Sequence, residues 1–144
     1  MLHFFQRYPA LAWMIGADLS HRGAVGLEYA TYRDIGARGV YHAALAYSHV
    51  ITPVAALLAV LVTAQILFRL DDRLRYRALF QAHPVGIGWA GFLCLQALVN
   101  GLSFFISSLH QRQALPINAV VWVVYYVAWR RARRWAESQP LPLA

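Results

Sequence analysis

Long uncharged stretches separated by short polar segments dominate the pattern of hydrophobic and polar positions. No Asp, Glu, Lys or Arg occurs from Gly39 to Phe68 or from Ala78 to Gln111. About 20 apolar residues suffice to cross a hydrocarbon core roughly 30 Å thick, because a helix rises about 1.5 Å per residue. Each stretch therefore predicts a transmembrane helix, one at about 41–69 and one at about 85–109.

Two further segments complete the predicted set of helices. Gln113 to Trp129 is a shorter uncharged stretch that ends in aromatic residues followed by arginine, which is typical of a span that ends at a membrane interface and predicts a helix at about 115–131. The N-terminal segment is mostly apolar but contains Arg7 and Pro9, and it predicts a short helix at about 3–19. An interfacial helix is the alternative there. A cleaved signal peptide is disfavoured because no basic segment precedes the apolar residues.

Composition and charge placement agree with a membrane location. The chain of 144 residues is 60% hydrophobic and 13% charged, whereas soluble domains carry about 25% charge. Every basic residue other than histidine is arginine, and eight of these 13 arginines lie in two clusters, at 69–77 and 130–134, beside uncharged stretches. This placement is typical of positive-inside loops and not of a nucleic-acid interface.

The charge rule also predicts the topology. If both arginine clusters are cytoplasmic, residue 40 lies outside, and an N-terminal helix that crosses the membrane places both termini in the cytoplasm. We therefore expect an all-α, polytopic membrane protein with four transmembrane helices, in a bacterial-type inner membrane. It would form one membrane-embedded domain over 1–137, with an outer interfacial loop at 20–40, an inner basic loop at 70–83 and a loose tail at 138–144.

Polar residues within the predicted spans are the candidates for function, because a polar side chain in lipid needs an internal partner. On one span, polar residues recur every three or four positions and so share one helix face: Gln96, Asn100, Ser103, Ser107 and His110. His42, His49 and Thr52 form a strip on the preceding span, and Asn118 begins the last one. Antiparallel packing would bring the outer ends of these helices together.

This arrangement predicts an outward-facing polar pocket. Its cofactor-binding candidates are His42, His49, Ser107, His110 and Asn118, and its metal-ligating candidates are Asp18, His21 and His49. Histidine and carboxylate could bind heme b, a quinone carbonyl or a divalent metal. The competing interpretation is that these side chains only hydrogen-bond neighbouring helices, each pair contributing about 0.6 kcal/mol.

Two short resemblances bear on these alternatives. Ser20-His21-Arg22 resembles the Ser-x-x-His-Arg stretch of succinate dehydrogenase cytochrome-b anchor subunits, which implies heme or quinone binding, although here Ser and His are adjacent. Asp18-Leu19-Ser20, together with His49 before Pro53, is similar to a family of small bacterial membrane proteins. That family has His-x-x-x-Asp where this chain has Gln96 and Asn100.

The remaining chemistry is limited. The single cysteine, Cys94, excludes an intrachain disulfide and a multi-thiolate metal site, and no Cys-x-x-Cys-His occurs for covalent heme. We therefore expect a small membrane subunit or accessory protein that packs with itself or with other membrane subunits in the lipid bilayer. The alternatives are an electron-transfer anchor that binds heme b or quinone, and a membrane-embedded metal-dependent enzyme.

Overall fold

The structure, a computed structural model, describes residues 2–105 and 111–138, and the side chains of 3, 6–103 and 118–138. This part of the chain is all-α and contains no strand. The predicted fold class is thus confirmed at the level of helical content. The helices, in chain order, are α1 (Leu2–Arg7), α2 (Pro9–Thr31), α3 (Arg38–Phe68), α4 (Leu70–Ala82), α5 (Pro84–Phe105) and α6 (Gln111–Ser138).

Prolines fix two of the helix boundaries. Tyr8 and His83 each precede a proline and adopt non-helical backbone angles, with φ of −133° and −137° respectively. A residue before proline is pushed out of the helical region, whereas proline itself suits the first turn of a helix. The N-terminal helix predicted at 3–19 is therefore divided into α1 and α2, and α5 begins directly after α4.

Two segments predicted as loops are helical, which corrects the boundaries at 20–40 and 70–83. α2 continues to Thr31, so the outer connection consists of 32–37, where Asp34 accepts a hydrogen bond from the Gly36 N–H at 2.9 Å. Residues 70–82 form α4. Both polar segments are helical because packing supports them: Ser20 and His21 contact α3, and Tyr76 packs against Tyr8. α6 also extends past the predicted end at 131 to Ser138.

Small residues form the core where α2, α3 and α5 meet. Ala55, Ala59 and Ala97 are buried there together with Met14 and Val62. α3 and α5 approach each other closely at Gly101, where an added Cβ would overlap the side chain of Ala56. Small side chains allow two helices to pack at such a short distance because their backbones can come into contact.

Two stretches of the described chain are long and apolar enough to cross a membrane, Ile35–Phe68 and Pro84–Ser103. They contain α3 and most of α5. These match two of the four predicted spans. Large apolar side chains such as Val50, Leu57 and Leu61 point away from the bundle on α3. The two apolar helices thus suggest that the protein associates with a membrane.

Candidate functional site

A buried carboxylate lies between α2 and its neighbours. Asp18 is 1% exposed, and its Oδ2 accepts a hydrogen bond of 2.7 Å from Nε of Arg22, four residues later on the same helix. This spacing places both side chains on one face of α2. The Arg22 side chain is 41% exposed, so the guanidinium reaches from the core to the outside. Oδ1 of Asp18 is buried without a hydrogen-bond partner among the described residues.

A chain of hydrogen bonds continues from α2 to α3, beginning at His21. Its Nδ1 lies 3.0 Å from Oγ1 of Thr52, and that hydroxyl donates to the carbonyl oxygen of Ser48 at 2.6 Å. Because a hydroxyl has one proton, Thr52 must accept from His21, so Nδ1 of His21 carries a proton. Nε2 is then the imidazole nitrogen with a lone pair when the ring is neutral.

A second link between the same helices lies beside this chain. The hydroxyl oxygens of Ser20 and Tyr47 are 2.6 Å apart. We call these polar residues the α2–α3 polar cluster; its members are Asp18, Ser20, His21, Arg22, Tyr47, Ser48 and Thr52. Its hydrogen bonds tie two antiparallel helices together at a fixed register.

The predicted metal ligands are only partly brought together. Asp18 and His21 lie in the cluster three residues apart on α2, whereas the His49 side chain is exposed on α3. No group of three His, Cys, Asp or Glu side chains in the described part of the protein could hold a metal ion. Asp18, His21 and His49 therefore do not form a three-ligand site.

The structure describes three of the five predicted cofactor-pocket residues, His42, His49 and Asn118. His42 and His49 are both exposed on α3, and the ring of His42 contacts Tyr41 with centroids 5.3 Å apart. Asn118 is half-buried, and its Oδ1 has no hydrogen-bond partner among the described residues. Ser107 and His110 lie outside the described residues, so heme or quinone binding at this pocket stays a prediction.

The polar stripe of α5 partly faces the core. Gln96 is buried with its Nε2 lacking a described hydrogen-bond partner, while Asn100 and Ser103 are half-buried. Ser103 donates to the carbonyl of Val99, a bond that stays within the helix. The stripe thus contributes a buried amide to the same core that contains Asp18.

Sequence analysis missed Arg22, Tyr47 and Ser48 as members of the cluster. Of the strip predicted on α3, Thr52 lies on the buried face, whereas His42 and His49 are exposed; that face contains Ala44, Ser48, Thr52, Ala55, Ala59 and Val62. These residues recur at intervals of three and four, and all but Val62 are small hydroxyl or alanine residues. That small-residue pattern was the available signal.

Neither a family model, nor a curated protein, nor a solved structure matches this chain. Function must therefore be argued from the residues themselves. The α2–α3 polar cluster combines one ion pair with a buried carboxylate, one histidine and four hydroxyls. This arrangement is well suited to fixing how two helices pack in an apolar surrounding.

Proposed function

We propose that the chain is an integral membrane protein whose four spans are α2, α3, α5 and α6, with both termini cytoplasmic in a bacterial-type inner membrane. The observation that supports this most is the position of the two arginine clusters. The guanidinium of Arg77 on α4 lies 4.7 Å from the ring centroid of Trp135 on α6. Both clusters therefore lie at one end of the bundle, as the positive-inside rule requires.

We further propose that the protein acts as a small subunit or accessory protein in a homo- or hetero-oligomeric membrane complex. α2, α3 and α5 share a core, whereas α6 contacts α5 chiefly through aromatic side chains at its second half. The opposite face of α6 presents Val120, Val123, Val124 and Val127, each 49–64% exposed. Intervals of three and four between these valines define one helix face, here called the valine face.

The valine face fits a neighbouring helix because β-branched side chains are already restricted in a helix and lose little freedom on packing. A cross-linking experiment in native membranes tests this. Val124→Cys in a Cys94→Ser background should form a cross-linked species of higher mass. The matched control is Val50→Cys, at an exposed apolar position of α3.

Cross-linking at position 124 and not at 50 would support a subunit role, and the mass of the product would separate a homodimer from a complex with another protein. A monomeric band for both variants, together with monomeric migration of the mild-detergent extract, would contradict it. The heme b, quinone and metal-enzyme hypotheses stay predictions, since no site within 2–105 and 111–138 favours them.

A further inference from the structure

An apolar groove lies between α5 and α6, away from the α2–α3 polar cluster. Its volume is about 270 Å³, slightly below the roughly 300–1,000 Å³ of pockets that take drug-sized ligands. Trp89 and Trp122 are largely exposed along it, so the groove is open on one side. Six aromatic side chains line this aromatic groove: Trp89, Phe92, Trp122, Tyr125, Tyr126 and Trp129.

The polar atoms of two lining residues are bound to the α5 backbone. The Tyr125 hydroxyl donates to the carbonyl of Gly88 at 2.5 Å, and Nε1 of Trp129 donates to the carbonyl of Pro84 at 3.2 Å. Gly88 allows this approach, because a Cβ at that position would overlap the indole of Trp129. Since these donors are already satisfied, the groove offers mainly carbon surface to an occupant.

Positive charge flanks the groove at one end. The guanidinium of Arg130 lies 6.0 Å from the ring centroid of Tyr126, and that of Arg133 lies 5.9 Å from the ring centroid of Trp129. Arg133 Nε also donates to Glu137 at 2.8 Å, and Glu137 is the one acidic residue of α6. The end of the groove therefore keeps a net positive charge despite that ion pair.

We propose that the aromatic groove binds an acyl chain of an anionic phospholipid whose phosphate is held by Arg130 and Arg133. A guanidinium stacked on a ring still presents N–H donors in its plane, and these suit phosphate oxygens. The apolar wall and the adjacent cations match the two parts of such a lipid, whereas a zwitterionic lipid carries its own cation beside the phosphate and so has no net charge to attract the arginines. The site rests on the proposed membrane placement.

Tryptophan quenching by brominated lipid tests the site in the full chain. The protein is reconstituted in phosphatidylcholine vesicles that contain a small fraction of acyl-brominated phosphatidylglycerol or, separately, acyl-brominated phosphatidylcholine. A groove reporter, W13F/W135F, keeps the three groove tryptophans. A control reporter, W89F/W122F/W129F/W135F, keeps Trp13, an exposed residue of α2. Circular dichroism verifies that each variant is helical.

We expect brominated phosphatidylglycerol to quench the groove reporter at a lower mole fraction than brominated phosphatidylcholine does. Each Arg→Gln change at 130 and 133 should weaken this preference roughly fivefold, the effect of one basic residue near an anionic surface. R73Q/R131Q, which removes two exposed arginines that have no ring contact with the groove, should retain it.

Equal quenching of the groove reporter by the two lipids would overturn the site, as would a preference that survives R130Q/R133Q. An equal preference in the Trp13 reporter would also overturn it, because the lipid would then not be localised at the groove. If the control reporter does not fold, the arginine variants of the groove reporter decide alone. Absence of quenching by either lipid would overturn the membrane placement itself.

Discussion

The Asp18–Arg22 ion pair gives the sharpest prediction about what holds α2 in place. Arg22→Gln leaves a carboxylate that is 1% exposed without its cation, whereas Asp18→Asn leaves a guanidinium that is 41% exposed. Removing one partner of a buried pair costs about 3–5 kcal/mol, because the remaining charge is buried alone. We expect Arg22→Gln to fall in this range.

Asp18→Asn should cost less, about 1.5–3 kcal/mol, the contribution of a hydrogen bond to a charged group. The exposed part of Arg22 can be solvated by water or lipid headgroups once its partner is neutral. The double variant, D18N/R22Q, removes both charges and should be less destabilised than the sum of the single variants, by about 0.5–3 kcal/mol.

The assay is the free energy of unfolding in mixed micelles, measured by circular dichroism as SDS replaces a mild detergent. Arg133→Gln is the matched control, because it also breaks an i,i+4 pair, with Glu137, whose two side chains are 44% and 60% exposed. That pair should contribute about 0.2–1 kcal/mol. Additive single effects, or a cost for Arg22→Gln no larger than that of the control, would refute the inferred burial of the Asp18 charge.

Two further predictions concern α5 and α4. Gly88→Ala should displace the Trp129 indole and destabilise the protein by about 1–3 kcal/mol through overpacking. Gly86→Ala is the control, because an added Cβ there meets nothing within 4 Å, and it should stabilise the protein by about 0.5–1 kcal/mol. Equal shifts in thermal unfolding temperature for the two variants would contradict the close approach of Trp129 to Gly88. Burial, and then the Asp72 carboxylate, raises the pKa of Tyr76 to about 12 from 10.0. Because the pKa of Tyr76 is higher in the folded than in the unfolded state, this contribution to the free energy of unfolding is complete below pH 10 and is lost as the pH rises to 12. Tyr76→Phe should therefore remove part of the decrease in stability between pH 10 and 12. An unchanged decrease in the variant would disprove the raised pKa.

The helices were largely predictable from the spacing of charges. Because arginines stand beside long uncharged stretches, helices near 41–69 and 85–109 could be recognised, and α3 and α5 occupy those places. The continuation of α2 through 20–31 could not be recognised, although Val25 and Tyr29 lie at helical spacing there. Its glycines and charges favour a loop locally, while the contacts of His21 and Ser20 with α3 stabilise helix there.

The candidate site was less predictable because periodicity shows which residues share a face but not which face is buried. His49 and Ser48 are neighbours in sequence, yet Ser48 is buried and His49 is exposed. Asp18 was predicted to lie with His21 at the outer level of the membrane, whereas the structure buries it within α2. The aromatic groove was not foreseen, since it depends on Gly88 and Tyr125, which are 37 residues apart.

Sidedness labelling tests the central claim most directly. Single cysteines replace Gly36, Ala82 and Ser138 in a Cys94→Ser background, and intact and permeabilised cells are treated with a membrane-impermeant maleimide. The four-span account predicts labelling of position 36 in intact cells and of positions 82 and 138 only after permeabilisation. Labelling of 82 and 138 from opposite sides, or recovery of the protein in the soluble fraction without detergent, would contradict it.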